Sequence, residues 1–280
     1  MTLDGLTRPR DPTQAREVRK LRIVFVTPDE PSIMPVFFER AIPAIPGETA
    51  AVAIVSPIYK KYSWARQARR FIQSFGVRDF AVEAAHYGYQ RVASALPAIS
   101  PAGANPSVKA ICREHGVPVL TPHSINSPQF LDELRRIDPD LVVSISCPQI
   151  FGSELLHLPR LGCVNVHSAL LPNYRGMLPT FWVLAQGETK TGVTVHYMNV
   201  GIDGGGIIAQ QEIPIDAQET LQSLMRKCKV VASQLVLETV DRFRAGPVAA
   251  APNPPDEGSY FSFPDRGDVM RFRARGRRMR

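Results

Sequence analysis

The sequence has little of what marks secreted, membrane or metal-binding chains. Only four of its 280 residues are cysteines, and their positions, 112, 147, 163 and 228, lack the paired spacing of a metal site. Reduced thiols of this kind are typical of a cytoplasmic protein. No apolar run is long enough to span a bilayer, and the polar, charged N-terminus contains no apolar signal core. We therefore expect residues 1–20 to form a flexible leader.

A glycine-rich phosphate loop is also absent where it would be most expected. Residues 21–26 form a short apolar run that predicts the first parallel strand, and Thr27, Pro28, Asp29, Glu30 and Pro31 follow it. This stretch offers few free backbone N–H groups because proline has none. The sequence therefore excludes the usual backbone cradle for a phosphate at this turn.

Strand and helix patterns alternate along most of the chain. With 44% hydrophobic and 21% charged residues, the chain can bury a full core. The alternation predicts an α/β fold with a doubly wound, mainly parallel sheet covered by helices on both faces. The predicted strands are 21–26, 50–55, 117–120 and 141–145, and the predicted helices are 106–115, 128–137, 178–186 and 219–244. We expect one domain over residues 21–246, with a helical insertion at 59–89 and a short Pro- and Arg-rich C-terminal extension at 247–280.

Polar residues of possible chemical interest lie near the middle of the chain. Residues 161–167 predict a buried strand that opens into a loop, so Asn165 and His167 would point to the same side of the sheet. Two further strands, 191–199 and 206–215, are joined by a turn that contains Asp203. Each residue has an ordinary structural interpretation by itself. An Asp before Gly is usually a turn residue, and a buried His is usually a hydrogen-bonded structural group.

The longer pattern carries more information than these single residues. The string from Asn165 to Gly176 is followed by Thr-Gly-Val-Thr at 191–194 and Gly-Ile-Asp-Gly-Gly at 201–205. Together they resemble the folate-dependent formyltransferases, a family that includes methionyl-tRNA, glycinamide ribonucleotide and sugar N-formyltransferases. The resemblance is strong over about residues 144–224 and weaker over the first strand. It implies a Rossmann-like domain, with Asn165, His167 and Asp203 as the catalytic trio.

The same resemblance implies the formyl donor and the residues around it. The donor would be 10-formyltetrahydrofolate, and no metal is expected. One wall of the pterin site would be formed by Gln149, Ile150 and Phe151, and the opposite wall by Val200, Gly201 and Ile202. The substrate-contacting residues would be Ser168, Tyr174 and Arg175.

The chemistry of formyl transfer explains the three residue types. Attack of a neutral amine on the formyl carbon places negative charge on an oxygen, which the Asn165 amide and a donating His167 can stabilise. The attacking nitrogen must then lose a proton and the departing folate nitrogen must gain one. Asp203 can orient His167, raise its basicity and pass a proton through a bound water. Cys163 lies in the strand and is interpreted as a small buried residue rather than a nucleophile.

We expect the acceptor to be a small-molecule amine, such as an amino sugar or another biosynthetic intermediate. The missing phosphate loop disfavours glycinamide ribonucleotide. The absence of a C-terminal barrel after the predicted domain weighs against tRNA, as does the charge distribution. Residues 266–280 carry +6 and residues 1–20 carry +2 of the net +7, which leaves −1 on the rest. The alternatives are a 10-formyltetrahydrofolate hydrolase, a methionyl-tRNA formyltransferase lacking the barrel, and a non-catalytic binding protein of the same fold.

Two basic segments each have more than one interpretation. For the arginine-rich end, a solvated tail without a partner is favoured over an arm that contacts acidic phosphates. Segment 59–89 has apolar residues at helical spacing with lysines and arginines between them. We favour packing on the domain or on a second subunit of a homodimer. The alternative is peripheral contact with an anionic membrane surface.

Overall fold

The computed structural model describes residues 20–56, 64–95 and 107–280. Within these residues the chain alternates between strands and helices from β1 to α9. The elements, in chain order, are β1 (Ile23–Pro28), α1 (Met34–Ala44), β2 (Thr49–Val55), α2 (Trp64–Phe75), α3 (Val77–Ala95), α4 (Val108–Glu114), β3 (Val119–Leu120), α5 (Pro128–Ile137), β4 (Leu141–Ile145), α6 (Ser153–His157), β5 (Cys163–His167), β6 (Arg175–Gly176), α7 (Pro179–Gln186), β7 (Lys190–Tyr197), β8 (Ile207–Pro214), α8 (Leu221–Arg244), β9 (Tyr260–Phe261) and α9 (Arg266–Ala274).

One sheet of seven strands organises the domain, in the order β3-β2-β1-β4-β5-β7-β8. The first five strands in this order are parallel, whereas β7 runs antiparallel to both β5 and β8. The prediction of a doubly wound, mainly parallel sheet is confirmed. The chain proceeds outward from β1 to β2 on one side and from β4 to β5 on the other, so the strand order reverses between β1 and β4. Crevices at the carboxyl ends of strands open at such a reversal.

Alternate residues of the central strands face two separate cores. Phe25 and Ile145 lie in the larger core, which also contains the buried sides of α1 and α8. Val24 and Val26 lie in the smaller core, together with Phe130 of α5. Because both faces are covered, β1 and β4 are mostly apolar instead of alternating between apolar and polar residues, and Thr27 and Ser144 are their buried polar exceptions.

Several predicted elements have the bounds that the sequence indicated. Helix α5 and strand β4 begin and end where the pattern placed them, and Ser127 caps α5 by accepting a hydrogen bond from the Phe130 N–H. Segment 59–89, predicted as one helical insertion, contains α2 and most of α3, and α3 continues beyond the predicted bound to Ala95. They are separated at Gly76, whose φ of 92° lies in the left-handed region that favours glycine. Residues 59–63 lie outside the described part of the chain.

Helix α2 packs on its own domain. Phe75 makes an edge-to-face contact with Phe181 of α7, with ring centroids 5.7 Å apart, and the Arg70 guanidinium lies 4.4 Å from the centroid of the Phe263 ring. Both contacts support the interpretation of a helix packed on the domain. None of the helices in the described ranges is both long enough and apolar enough to cross a membrane.

The arginine-rich end differs from the favoured expectation of a solvated tail. Residues 266–274 form α9, which begins with a reciprocal capping box between Asp265 and Asp268. Val269 and Phe272 are each only 1% exposed and belong to the larger core. The arginines contact the body of the domain: for example, Arg280 forms a two-oxygen ion pair with Glu83 of α3. The expectation was wrong because it considered the arginines without the two apolar residues between them.

Candidate active site

The predicted catalytic residues meet where the sheet changes from parallel to antiparallel. Asn165 and His167 lie on β5, and Asp203 lies in the loop between β7 and β8. Asp203 has a φ of 50°, in the left-handed region that Asp and Asn tolerate better than most residues. The loop therefore returns its carboxylate to the end of β5. The structure brings all three residues together.

The Asp203 carboxylate is the centre of this arrangement. One oxygen, Oδ1, accepts a hydrogen bond from the Asn165 amide at 3.3 Å, and the other, Oδ2, accepts one from the Gly176 N–H at 2.8 Å. Nδ1 of His167 lies 3.5 Å from Oδ2, and Nε2 of His196 lies 3.6 Å from Oδ1. Two imidazoles thus face one carboxylate from different sides.

His196 is a site residue that the sequence analysis missed. It lies on β7 directly opposite Asn165 in the antiparallel pairing, and its Nε2 is 3.2 Å from the Asn165 amide nitrogen. Its Nδ1 is 2.7 Å from the Tyr197 carbonyl oxygen, which requires the ring hydrogen on Nδ1. In the neutral ring, Nε2 is therefore a bare acceptor.

His167 lies behind the carboxylate and is only 5% exposed. Its Nε2 donates to the Tyr174 carbonyl at 2.8 Å, which leaves Nδ1 directed at Asp203. Burial lowers the pKa of His167, whereas the nearby negative charge of Asp203 raises it, and burial is the larger effect. The ring is therefore mainly neutral at neutral pH.

Burial and neighbouring groups also act in opposite directions on the pKa of Asp203, but here the neighbouring groups have the larger effect. Burial alone would raise it. When the two imidazoles are protonated, hydrogen bonding to His196 and the charge of His167 act together with the hydrogen bond from the Gly176 N–H to lower the pKa to about 2. Asp203 is therefore a carboxylate at neutral pH, and it stabilises a proton on either neighbouring imidazole.

A cavity of about 130 Å³ opens beside these groups. Asn165, His196 and Asp203 line it, whereas His167 does not. Its lining includes Gln149, Ile150 and Phe151 from the loop after β4 and Gly201 and Ile202 from the loop between β7 and β8. Val200, predicted with them, is 79% exposed in the same loop and is not part of the lining. The remaining lining residues are Ser144, Cys147, Met198 and Asn199.

The Gln149 side chain fixes the first wall. Its Oε1 accepts from the Ile125 N–H at 3.0 Å, and its Nε2 donates to the His123 carbonyl at 3.3 Å. The side chain is 7% exposed, so it holds the loop rather than filling the cavity. A larger cavity of about 520 Å³ adjoins this loop at the end of β3, but none of the trio lines it.

The three predicted substrate residues are placed differently from one another. Ser168 follows β5 directly and is half-buried. The Tyr174 ring stacks on Phe261, with centroids 5.5 Å apart, and its hydroxyl donates to the Glu188 carboxylate. Burial first, and then Glu188, raise the pKa of Tyr174. Its backbone contributes directly to the site by orienting His167.

Arg175 requires a correction. The residue is only 6% exposed, and its guanidinium donates to the carbonyl oxygens of Asp203 and of residues 253–255 and 257. A further hydrogen bond reaches the Asn253 side-chain oxygen at 2.5 Å. With its donors used in this way, Arg175 fastens the Asp203 loop to the C-terminal segment instead of binding a substrate.

Comparison with known families gives one match over most of the chain. Residues 36–240 match the family model described as "Formyl transferase". A methionyl-tRNA formyltransferase of Geobacter metallireducens is 40% identical over 141 residues, and one of Citrifermentans bemidjiense is 42% identical over 141 residues. These matches cover 50% of this chain and 45% and 44% of the two relatives. The matched region therefore spans less than half the length of these curated relatives.

Solved structures show the same fold at low sequence identity. A sugar N-formyltransferase from a Shewanella species superposes with a TM-score of 0.54 at 19% identity, covering 86% of this chain and 76% of that one. Glycinamide ribonucleotide transformylase 1 from Symbiobacterium toebii gives a TM-score of 0.55 at 17% identity, covering 83% of this chain and 94% of that one. At these identities the likeness concerns the fold alone.

Proposed function

The chain belongs to the formyl transferase family, and on that premise we propose that it is an N-formyltransferase. It moves a formyl group from 10-formyltetrahydrofolate to the primary amine of a small molecule. The observation that carries this proposal is the meeting of an amide, an imidazole and a carboxylate at one cavity. These groups belong to Asn165, His196 and Asp203.

The walls of the cavity are suited to a flat ring with polar edges. Ile150 and Ile202 both line the cavity and are 66% and 50% exposed, so each presents apolar surface that a bound ring could cover. Gln149, Ile150, Phe151, Gly201 and Ile202 would hold 10-formyltetrahydrofolate, which supplies the formyl group when bound.

Asn165 would stabilise negative charge on the formyl oxygen. Its amide nitrogen now contacts Asp203 and His196 at 3.3 and 3.2 Å, which are long hydrogen bonds. A small rotation would redirect one N–H toward the cavity. In a site sheltered from water, one such donor contributes a factor of about 100 or more to the rate.

His196 and Asp203 would manage the proton of the attacking amine. Nε2 of His196, a residue that lines the cavity, accepts from the Asn165 amide. Once that N–H turns toward the formyl oxygen, the Nε2 lone pair can accept the proton of the amine directly or through a water. Asp203, 3.6 Å away, stabilises the resulting imidazolium. His167 would share the charge from the buried side of Asp203. This assignment gives the proton-accepting position to His196 and leaves His167 as a positioning residue.

The proposal also names a class of acceptor amine. A small amine, such as an amino sugar, is our first candidate, and the sugar N-formyltransferase with the same fold supports it. The second candidate is the aminoacyl group of a charged tRNA, because the curated relatives with 40–42% identity are named for that substrate.

Incubation with 10-formyltetrahydrofolate separates these functions. The protein is first incubated with the donor alone, then with amino sugars, other small amines and methionyl-tRNA, and release of tetrahydrofolate is followed. We expect release only when a small amine is present. Release without any amine would indicate a hydrolase, release only with the tRNA would indicate the second candidate, and no release would indicate a non-catalytic binding protein.

A further inference from the structure

Lys229 of α8 is a buried cation that the chemistry above does not use. The residue is 3% exposed, and its ammonium donates one hydrogen bond, at 2.9 Å, to the Ser146 hydroxyl. None of the ion pairs formed among residues 20–56, 64–95 and 107–280 includes it. A buried ammonium usually has an anionic partner, because removing it from water costs several kcal/mol. Here the partner is a neutral hydroxyl.

The carboxylate that acts electrostatically on Lys229 is already engaged. Glu30 follows β1, and its oxygens accept hydrogen bonds from the N–H groups of Ser32, Ile33 and Met34 at the start of α1. Burial lowers the pKa of Lys229 to about 8, and the Cys228 thiol and Glu30 only partly oppose this effect. Among the described residues, the ammonium therefore has little negative charge close to it.

Lys229 contacts the part of the sheet at which α/β folds commonly bind ligands, namely the carboxyl ends of the strands where the strand order reverses. Ser146 follows β4 directly and is exposed, with a φ of 55° that turns the chain away from the sheet. It lies at the reversal of strand order between β1 and β4. The ammonium thus lies just beneath an exposed loop at the carboxyl end of the sheet.

Thr27 is a second buried polar residue at the carboxyl end of the sheet. Thr27 of β1 is fully buried, and its hydroxyl has no hydrogen-bond partner in the structure. The parallel register pairs Val26 with Ser144, so Thr27 lies next to Ile145. Phe25 and Ile145 both face the core that α8 covers, and by the alternation of strand side chains Thr27 faces the same way. The Thr27 hydroxyl therefore lies on the face of the sheet that α8, the helix of Lys229, covers.

The same ammonium is electrically coupled to the candidate active site. Lys229 contributes to the lowering of the His167 pKa, although less than burial does. A small molecule reaching from Lys229 toward the Asp203 cavity would therefore place two of its groups in two polar sites.

We propose that Lys229, together with Thr27 and Ser146, binds an acidic group, a carboxylate or a phosphate, on the acceptor amine. This proposal rests on the proposed formyl transfer for the identity of the bound molecule. The anion replaces the Ser146 hydroxyl as the main partner of the ammonium. Lys229 then selects acidic amines over neutral ones.

Titration of simple anions into the full chain tests the site without knowledge of the acceptor. Inorganic phosphate and acetate are titrated separately by calorimetry into wild type, Lys229→Gln and Lys227→Gln. Lys227 is a matched control, since it lies on the same helix and already forms ion pairs with Asp216 and Glu219. We expect wild type and Lys227→Gln to bind at least one anion equally. Lys229→Gln should bind it at least about tenfold more weakly, the effect of losing a charged hydrogen bond.

Which anion binds distinguishes a carboxylate-bearing from a phosphate-bearing acceptor. Equal binding by Lys229→Gln and wild type, or no saturable binding by wild type, overturns the proposal. If Lys229→Gln does not fold, the wild-type protein labelled with ¹³C-lysine provides the answer by NMR. The bound anion should raise the titration midpoint of the Lys229 side chain, and an unchanged midpoint overturns the proposal.

Kinetics then connect the anion site to catalysis. Acceptor amines are compared in pairs that differ only by a phosphate or carboxylate, and Lys229→Gln should raise KM for the acidic member with a smaller change in kcat. A purely structural lysine would affect both members equally. If no amine is formylated, the proposed function fails, while the anion titration still decides the role of Lys229.

Discussion

At Asp203, four groups compete for two carboxylate oxygens: the Asn165 amide, the Gly176 N–H and the imidazoles of His167 and His196. The first two contacts fix where the carboxylate points. The other two allow its charge to stabilise a proton on an imidazole. The residue thus combines a structural and a chemical role, and these can be separated by experiment.

Replacing Asp203 by Asn should remove the chemical role and keep most of the structure. The amide oxygen can still accept from Gly176, but the charge that stabilises an imidazolium is lost. We expect turnover to fall by about 100-fold or more, which is the usual contribution of acid–base catalysis. Binding of a folate analogue should change little. Steady-state kinetics and analogue titration measure both, with Asp132→Asn as an exposed control. If Asp203→Asn turns over at the wild-type rate, Asp203 is only a turn residue.

The low pKa of Asp203 also predicts a stability difference that depends on pH. The folded-state pKa is about 2, below the ordinary value of 3.8, so the ionised carboxylate stabilises the fold. This contribution is complete above about pH 4 and is lost as the pH falls from about 4 to 2. Its size is about 2 kcal/mol, from a shift of nearly two pKa units.

Urea unfolding of wild type and Asp203→Asn at several pH values measures this contribution. The difference in free energy of unfolding should be about 2 kcal/mol at pH 7 and should shrink below about pH 4. The exposed Asp256→Asn provides a control whose difference from wild type should stay near zero. A difference between wild type and Asp203→Asn that is constant down to pH 2 would contradict the assigned pKa.

Sequence patterns predicted the trio but could not predict His196 or the role of Arg175. His196 lies in a strand rich in Val and Thr, and only the register that pairs it with Asn165 gives it a role. Such a register is set by tertiary packing. Arg175 contacts carbonyls 78 to 82 residues further along the chain, which no local pattern reveals.

The loop between β7 and β8 depends on close backbone contact. A Cβ atom added at Gly205 would lie 1.9 Å from the Tyr197 carbonyl oxygen, far inside van der Waals contact. At the neighbouring Gly204 the nearest atom to an added Cβ is 3.5 Å away, an ordinary contact. Only one of these two adjacent glycines is therefore required by the path of the loop.

Gly205→Ala should therefore displace the loop, and Asp203 with it. We expect a loss of about 1–3 kcal/mol in the free energy of unfolding, as for other overpacked sites, together with a large loss of turnover. Gly204→Ala should remain within about 0.5 kcal/mol of wild type. Urea unfolding and kinetics of the two variants make a matched comparison. Equal behaviour of the two variants would show that the loop adjusts without moving the carboxylate.

Across the whole molecule, the C-terminal segment is part of the same domain as the candidate active site. Strand β9 pairs with β6, next to the site, and α9 packs on α7 through Phe272 and Phe181. Arg275 donates to the Ala185 carbonyl, and Arg277 donates to the carbonyls of residues 216 and 217. The positive charge that the sequence concentrates at this end is therefore used largely inside the fold. Composition identified the charge, but only the three-dimensional packing shows where it acts.

If the segment belongs to the same cooperative unit, one substitution in α9 should destabilise the entire domain. Phe272 is 1% exposed and stacks on Phe181 with ring centroids 5.0 Å apart. Phe272→Ala should lower the free energy of unfolding by about 3–5 kcal/mol. Met270, two residues earlier on the same helix, is 62% exposed, so Met270→Ala should change the free energy of unfolding by no more than about 0.5 kcal/mol.

Urea unfolding followed by both tryptophan fluorescence and circular dichroism should give a single shifted transition for Phe272→Ala. A separate early transition confined to the helix, with the main transition unchanged, would show instead that α9 unfolds independently of the sheet.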